Sequence, residues 1–413
     1  MRPQFEEPQN IRRRNRARLM ALIFENPKID RTQLASMVGV SNAAVSNISG
    51  ELLEAGLIKE VEVVKNTINR GRKPVGLEIN GHGGFVLGVN ILATDVSIVL
   101  ADICGCVIDQ IDLNPRRIEN PEKTLNEVKH AAEEILKKNK VPRHQLFGIG
   151  FGIAGFLDQS TGELKRAPYL GWPPFDLTAR LNQLFDCELV VENVTRSIAL
   201  AENRFGVLSS FKDLILIRSG LGLGGAFISE RQLLEGRENF AGDIGHIFAE
   251  RGGGICSCGK MGCLNTIASG WAVMHMLGDA RISYATINQF RRQNARLAEL
   301  VSDHAKGSAP IVEALSRASQ RLAMHILPIC QAYDPEAICL TGPLGRNEAY
   351  AKTFKDELFK NGLKCQIITA SETKIISPAM AAVYLALSNI VYSTRFDFDQ
   401  VSRGEAEAKV AFK

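Results

Sequence analysis

Asp243-Ile244-Gly245-His246, followed ten residues after the histidine by Cys256-Ser257-Cys258-Gly259-Lys260-Met261-Gly262-Cys263, is the stretch on which the reading of this chain turns. One imidazole and three thiols lie within eighteen residues, two of the thiols on a glycine-rich turn. His246, Cys256, Cys258 and Cys263 can therefore supply the four ligands of a closed, structural Zn2+ site. Nine cysteines in 413 residues are too sparse for a disulfide scaffold, and no secretory leader precedes them. Reduced, metal-binding thiols are the reading that follows; unpaired cysteines on a turn are the plain alternative.

Upstream of this stretch, strand-like runs alternate with helical ones. Phe85–Val89 and Val96–Ala101 read as a hairpin, and Gly105–Ile108 opens a further strand. Leu125, Val128, Ala132, Ile135 and Leu136 trace one helix face, and Phe147–Phe151, Leu189–Val191 and Leu214–Ile217 read as buried strands. Downstream, a mostly helical run from Gln289 to Gln331 precedes a strand at Ala337–Leu340. The alternation makes the body α/β.

The first eighty residues differ. Arg12–Arg18 opens a helix with Leu19, Leu22 and Ile23 inward, ended at Asn26-Pro27. Asp30 caps a second helix, with Leu34, Met37 and Val38 at inward spacing and Gly39 closing it. Ser41 caps a third, buried along Val45, Ile48 and Leu52. Its outward face carries Asn42, Ala43, Ser46 and Asn47, short side chains suited to base edges in a major groove. Leu57–Val64 and Val75–Ile79 read as a hairpin whose tip bears Lys65, Arg70, Gly71, Arg72 and Lys73, a basic wing for phosphates or the minor groove. Helix, glycine turn, polar helix and wing agree on a winged helix-turn-helix that contacts double-stranded DNA through Ser41, Asn42, Ala43, Ser46, Asn47, Arg70, Arg72 and Lys73. A helical protein-interaction module is the alternative.

Charge supports the division. Residues 1–80 hold 13 Lys/Arg against 9 Asp/Glu, whereas the remaining 333 hold 36 against 36, so the net +4 lies wholly in the head. With 45% hydrophobic and 23% charged residues and no run of about 18 apolar ones, neither membrane insertion nor secretion is expected, and a cytoplasmic location follows. The expected units are a DNA-binding head (1–80), an effector-binding and oligomerising body with the zinc loop (81–390) and a polar, frayed tail (391–413).

These pieces resemble the ROK family of repressors, open reading frames and kinases, over essentially the whole chain. The likeness rests on Asp243-Ile244-Gly245-His246 with the cysteine motif, on Glu192-Asn193, on Gly220–Gly225 and on Thr341-Gly342. It is strongest to the repressor branch, which implies a two-lobed, actin-like (ribonuclease H-like) sugar-kinase body behind the winged head. The resemblance also implies an effector site of Asn193, Asp243, His246 and Asn265, walled by the backbone of Gly152–Gly155, with His246 bridging metal and ligand.

Against that family pattern the kinase machinery is degraded. Asn90-Ile91-Leu92-Ala93-Thr94 stands where an Asp-x-Gly-x-Thr phosphate loop is expected, and Gly220-Leu221-Gly222 replaces a Gly-Thr-Gly loop. Val194 occupies the position of the catalytic Asp, and a positioned base contributes roughly 10²–10⁴-fold in rate. No catalytic residue is therefore assigned. The expected protein is a repressor of carbohydrate-use genes, a homodimer or homotetramer on operator DNA, tuned by a sugar or sugar derivative. The competing readings are an active sugar kinase with an auxiliary head and a docking platform for another protein.

Overall fold

The computed structural model describes residues 8–62, 75–113, 118–278, 287–302, 308–399 and 401. Helix caps set the head. Asp30 Oδ1 accepts from the amides of Thr32 and Gln33 at 2.9 Å, Gln33 returns a bond to the Asp30 amide, and Gly39 closes the helix at φ +76°. The Ser41 hydroxyl accepts from the Ala44 amide at 3.2 Å. Helices α1 (Pro8–Glu25), α2 (Arg31–Val38) and α3 (Asn42–Glu54) pack through Leu19, Met20, Ile23, Leu34, Val45, Ile48 and Leu52. Met37, expected inward, is 47% exposed. Strands β1 (Ile58–Glu62) and β2 (Val75–Ile79) pair antiparallel.

The body uses one strand logic twice. In the first sheet, β3 (Phe85–Ile91), β4 (Val96–Asp102) and β5 (Val107–Leu113) form an antiparallel meander; helix α4 (Pro121–Lys138) follows. Strand β6 (Leu146–Ile153) then lies parallel beside β3. A small sheet of β7 (Phe156–Leu157), β8 (Glu163–Arg166) and β9 (Phe175–Asp176) precedes α5 (Leu177–Leu184) and β10 (Leu189–Asn193), which pairs parallel with β6. Helix α6 (Val194–Phe205) leads to the second sheet. There β11 (Leu214–Ser219), β12 (Leu223–Ser229) and β13 (Gln232–Leu233) repeat the meander. After helices α7 (Asn265–Ala268), α8 (Gly270–Met276), α9 (Ile287–Val301) and α10 (Ala309–Tyr333), strand β14 (Ala337–Thr341) is parallel to β11. Helices α11 (Gly342–Gly345) and α12 (Glu348–Lys360) lead to β15 (Gln366–Thr369), parallel to β14. Helix α13 (Pro378–Ala386) returns to the first lobe. The architecture is α/β, a winged helix-turn-helix followed by a two-lobed, sugar-kinase-like body.

Helix α13 lies so close to the first sheet that side chains are excluded at two strand positions. A Cβ on Gly150 would sit 2.1 Å from the Ala382 carbonyl oxygen, and one on Gly88 would sit 2.5 Å from the Val383 nitrogen. The other side of this contact belongs to the head. Leu19, Ile23, Leu57 and Leu77 share one hydrophobic cluster with Val86, Phe147, Val383, Leu387 and Ile390, so head and body have a continuous core. The segment from 391 is not frayed where it is described. Tyr392, Phe396 and Val401 are buried, Arg395 donates to Glu188 Oε2 at 2.6 Å, and Phe398 lies 3.8 Å from the Arg16 guanidinium. Apolar residues spaced through a polar sequence thus seal the seam between head and body.

Candidate functional site

Three places concern function: the exposed face of α3, the metal loop and the cleft beside it. On α3, Asn42, Ala43, Ser46 and Asn47 are exposed, while Val45, Ile48 and Leu52 on the opposite face are buried. Ser41 is exposed too, but its hydroxyl oxygen caps the helix. The helix is braced from behind by Glu51, which pairs with Arg12 and, at 2.6 Å, with Arg16. Arg70, Arg72 and Lys73, with the rest of the expected wing tip, lie outside the described residues.

The loop after β13 brings the four expected ligands together. His246 Nδ1 and the sulfurs of Cys256, Cys258 and Cys263 all lie within 4.8 Å of one another. Cys256 Sγ is 3.4 Å from His246 Nδ1, and Cys258 Sγ is 3.6 Å from Cys263 Sγ. Zinc–sulfur bonds of about 2.3 Å and zinc–nitrogen bonds of about 2.0 Å give tetrahedral edges of roughly 3.5–3.8 Å, so the residues fit such an ion. Burial holds the His246 imidazole below its ordinary value despite the pull of Asp243, leaving it the neutral ligand a metal needs. Burial pushes the Cys263 thiol up to about 12, so ion binding there must displace a proton.

His246 also lines a cleft enclosing about 980 Å3 of empty space, counting its open mouth. Gly155, Asn193 and Asp243 line it with His246, as expected, and their hydrogen bonds define what each has left to offer. Asn193 caps α6 by accepting from the Thr195 amide at 2.9 Å, and its Nδ2 donates to the Gly155 carbonyl at 2.8 Å. One amide N–H remains for a ligand. A Cβ on Gly155 would meet Leu164 Cδ1 at 2.9 Å and the Arg166 carbonyl oxygen at 3.0 Å, so a side chain there would have to push Leu164 aside. Asn265 does not reach the cleft. It is fully buried; its oxygen accepts from the Leu223 amide at 2.7 Å and its nitrogen donates to the Tyr169 hydroxyl at 3.3 Å. Its role is to tie the cysteine loop to β12, and the expectation of a ligand contact is corrected.

The cleft contains residues that sequence reasoning missed. Arg166, on β8, pairs with Asp243 across 77 residues of sequence and lies 4.9 Å from the Phe240 ring centroid. Its Nε is buried without a partner. Arg218, at the end of β11, enters from the other lobe. Tyr169 and Phe290, with Trp271 behind them, form an aromatic wall with ring centroids 5.5–5.8 Å apart. Fully buried Arg196 holds the approach to Asp243, donating to Asn239 Oδ1 at 2.5 Å and to the carbonyls of Glu235 and Ala241 at 3.0 and 3.1 Å. No local motif marks these residues; the glycine and histidine motifs around them do.

The positions where the family resemblance expects phosphate-loop and base residues lie in the same cleft. Leu92, Ala93, Thr94 and Val194 all line it. Asn90 does not; it is buried, with Nδ2 3.3 Å from Asp95 Oδ2. Among the described residues, Asp243 is the one carboxylate of the lining.

Comparison with known proteins agrees with this geometry. The sequence model of the ROK family matches residues 86–389, and that of a winged helix-turn-helix DNA-binding unit matches residues 12–59. A xylose repressor of Caldicellulosiruptor bescii is 27% identical over 334 residues, covering 79% of this chain and 82% of that protein. An N-acetylglucosamine repressor of Escherichia coli O6:H1 is 26% identical over 339 residues, 81% of each chain. The crystal structure of a ROK family transcriptional regulator, described as a homolog of the E. coli MLC protein, superposes with a TM-score of 0.75 at 21% identity. It covers 95% of this chain and 100% of its own.

Proposed function

This chain belongs to the ROK family, and from that premise we propose that it is a DNA-binding transcriptional regulator, a repressor of carbohydrate-use genes whose kinase-like cleft senses a sugar or sugar derivative and transfers no phosphate. One observation carries the reading: a polar recognition helix is joined to a cleft without a free carboxylate at the base position. Val194 stands at the base position, and the lining's single carboxylate, Asp243, is engaged by Arg166. Leu92 further places a side chain where a phosphate would need bare backbone.

The cleft retains the means to bind. The free N–H of Asn193, the Asp243–Arg166 pair and the His246 ring suit vicinal hydroxyls, and the aromatic wall suits the apolar face of a sugar ring. His246, Cys256, Cys258 and Cys263 would hold a structural Zn2+. With Nδ1 turned toward the sulfurs, His246 keeps Nε2 for a ligand, so metal loop and effector share one imidazole.

Helix α6 supplies the path to the head. Its first residues, Val194 and Thr195, line the cleft; its last two, Arg204 and Phe205, touch α1. Arg204 pairs with Glu25 at 3.3 Å, and Phe205 meets Phe24 edge-on at 5.3 Å. Twelve helical residues span about 18 Å. A ligand that draws the lobes together would tilt this rod and reposition the recognition helix, through its unequal affinity for the two states. Two heads in a homodimer would read half-sites about one or two helical turns apart. The alternative, an active sugar kinase, rests on the shared fold. Selection of a preferred duplex from a random library, beside an ADP-release assay across hexoses, pentoses and N-acetyl sugars, separates the two. Specific duplexes without ADP release are expected; sugar-dependent ADP release at an ordinary enzymatic rate would sink the proposal.

A further inference from the structure

The cleft has an unbalanced charge. Its lining holds two guanidiniums, Arg166 and Arg218, against one carboxylate, and that carboxylate belongs to Arg166. Arg218 is half-buried, and its side chain makes no hydrogen bond or ion pair among the described residues. The acid nearest in influence, Asp95, already accepts from Thr94 Oγ1 at 2.6 Å and from Asn90 Nδ2 at 3.3 Å. Arg346 adds positive potential, and burial together with that neighbour disfavours the charge on Arg218. A part-buried guanidinium without a directly paired acceptor is costly, Asp95 offsets that only from beyond ion-pair distance, and a neutral sugar would not supply the missing ion pair.

Arg218 is also well placed to receive a ligand. It sits at the end of a central strand, in register with Gly224 on one side and Thr341 on the other, and so is held by backbone on both edges. The cleft it lines also holds Thr94, Gly220, Gly222 and Pro343, and the one carboxylate of that lining is already paired with Arg166. A guanidinium fork matches phosphate and carboxylate oxygens in pairs. We infer that the effector is an anionic carbohydrate, and that Arg218 receives its phosphoryl or carboxylate group while Asn193, Asp243 and His246 address its hydroxyls. This inference rests on the reading of the cleft as an effector site.

Calorimetric titration of the full-length protein tests it. The probes are xylose, glucose and N-acetylglucosamine, their counterparts glucose 6-phosphate, N-acetylglucosamine 6-phosphate and glucuronate, and inorganic phosphate alone. At least one anionic sugar should bind ten times or more tighter than its neutral parent. Arg218→Gln should weaken that ligand about 10- to 100-fold, with Arg218→Lys in between. The phosphate and uronate arms identify which anion is taken. The unliganded Arg218→Gln protein should melt no lower than wild type, because no partner is lost; a clear drop would make Arg218 structural and overturn the inference. Equal binding of a neutral sugar, indifferent to Arg218→Gln, would also overturn it and leave the effector reading standing. Inorganic phosphate binding as tightly as any sugar phosphate would reduce the site to an ion site. Silence from every probe would remove the effector reading as well.

Discussion

Replacing Phe205 with alanine tests whether the cleft speaks to the head through α6. The ring meets Phe24 of α1 at 5.3 Å and 82°, and stacks on Tyr384 of α13 at 4.7 Å and 27°. Each such pair contributes about 0.5–1.5 kcal/mol beyond the area it buries, so the two together carry about 1–3 kcal/mol. That spans the usual range of an allosteric coupling energy, equivalent to roughly 5- to 150-fold in affinity. The head should survive the change, because its core of Leu19, Met20, Ile23, Leu34 and Leu52 does not include Phe205. The quantity to measure is the ratio of operator Kd with and without effector, at one fixed salt concentration, by fluorescence anisotropy. In Phe205→Ala the ratio should shrink at least about fivefold while effector affinity at the cleft persists. A Phe24→Ala, Phe205→Ala double variant should lose little more than either single one. If Phe205→Ala keeps the wild-type ratio, α6 is not the path.

Other outcomes follow from the same structure. Ser46→Glu or Asn47→Glu should cost operator binding tenfold to over 100-fold, about 1–3 kcal/mol or more, with an unchanged melting temperature because both positions are exposed; unimpaired binding would move the interface elsewhere. Cys258→Ser should empty the zinc site, lower the melting temperature and weaken effector binding through His246; unchanged zinc by elemental analysis would refute the ligand set. Burial raises the Glu51 carboxyl, but Arg12 and Arg16 more than offset it, so its folded value is depressed. Its contribution is therefore present above the unfolded carboxylate value, about 4.3, and lost as pH falls through the lower folded one. Glu51→Gln should flatten that acid limb of the stability curve, measured by denaturant unfolding between neutral pH and pH 3.

What the sequence made legible is what local chemistry decides. Asp30, Gly39 and Ser41 announce α2 and α3 because a cap needs only its own turn, and they end up where the pattern requires. The gathering of His246 with Cys256, Cys258 and Cys263 was equally readable, since three thiols on a short turn have few ways to avoid meeting. Pairings across long separations were not readable. Arg166 reaches Asp243 across 77 residues, and nothing in Glu163–Arg166 signals a cleft. Arg218 is conspicuous because its side chain has no hydrogen-bond or ion-pair partner among the described residues, a property that exists only in three dimensions. Asn265 misled for the opposite reason: it occupies a ligand position by resemblance, yet it is fully buried outside the cleft lining and bonded to the Leu223 amide and Tyr169. From residue 391, polar composition hid Tyr392, Phe396 and Val401, whose burial depends on partners far earlier in the chain, such as Phe24 of the head and Phe147 of the body.

The whole account stands on a link between sugar and DNA in one chain. Its most direct test is the wild-type protein's affinity for its selected operator duplex, measured by anisotropy across the neutral and anionic sugar panel. At least one carbohydrate should change that Kd tenfold or more. An operator affinity that no carbohydrate alters would contradict the claim that the cleft is a sensor.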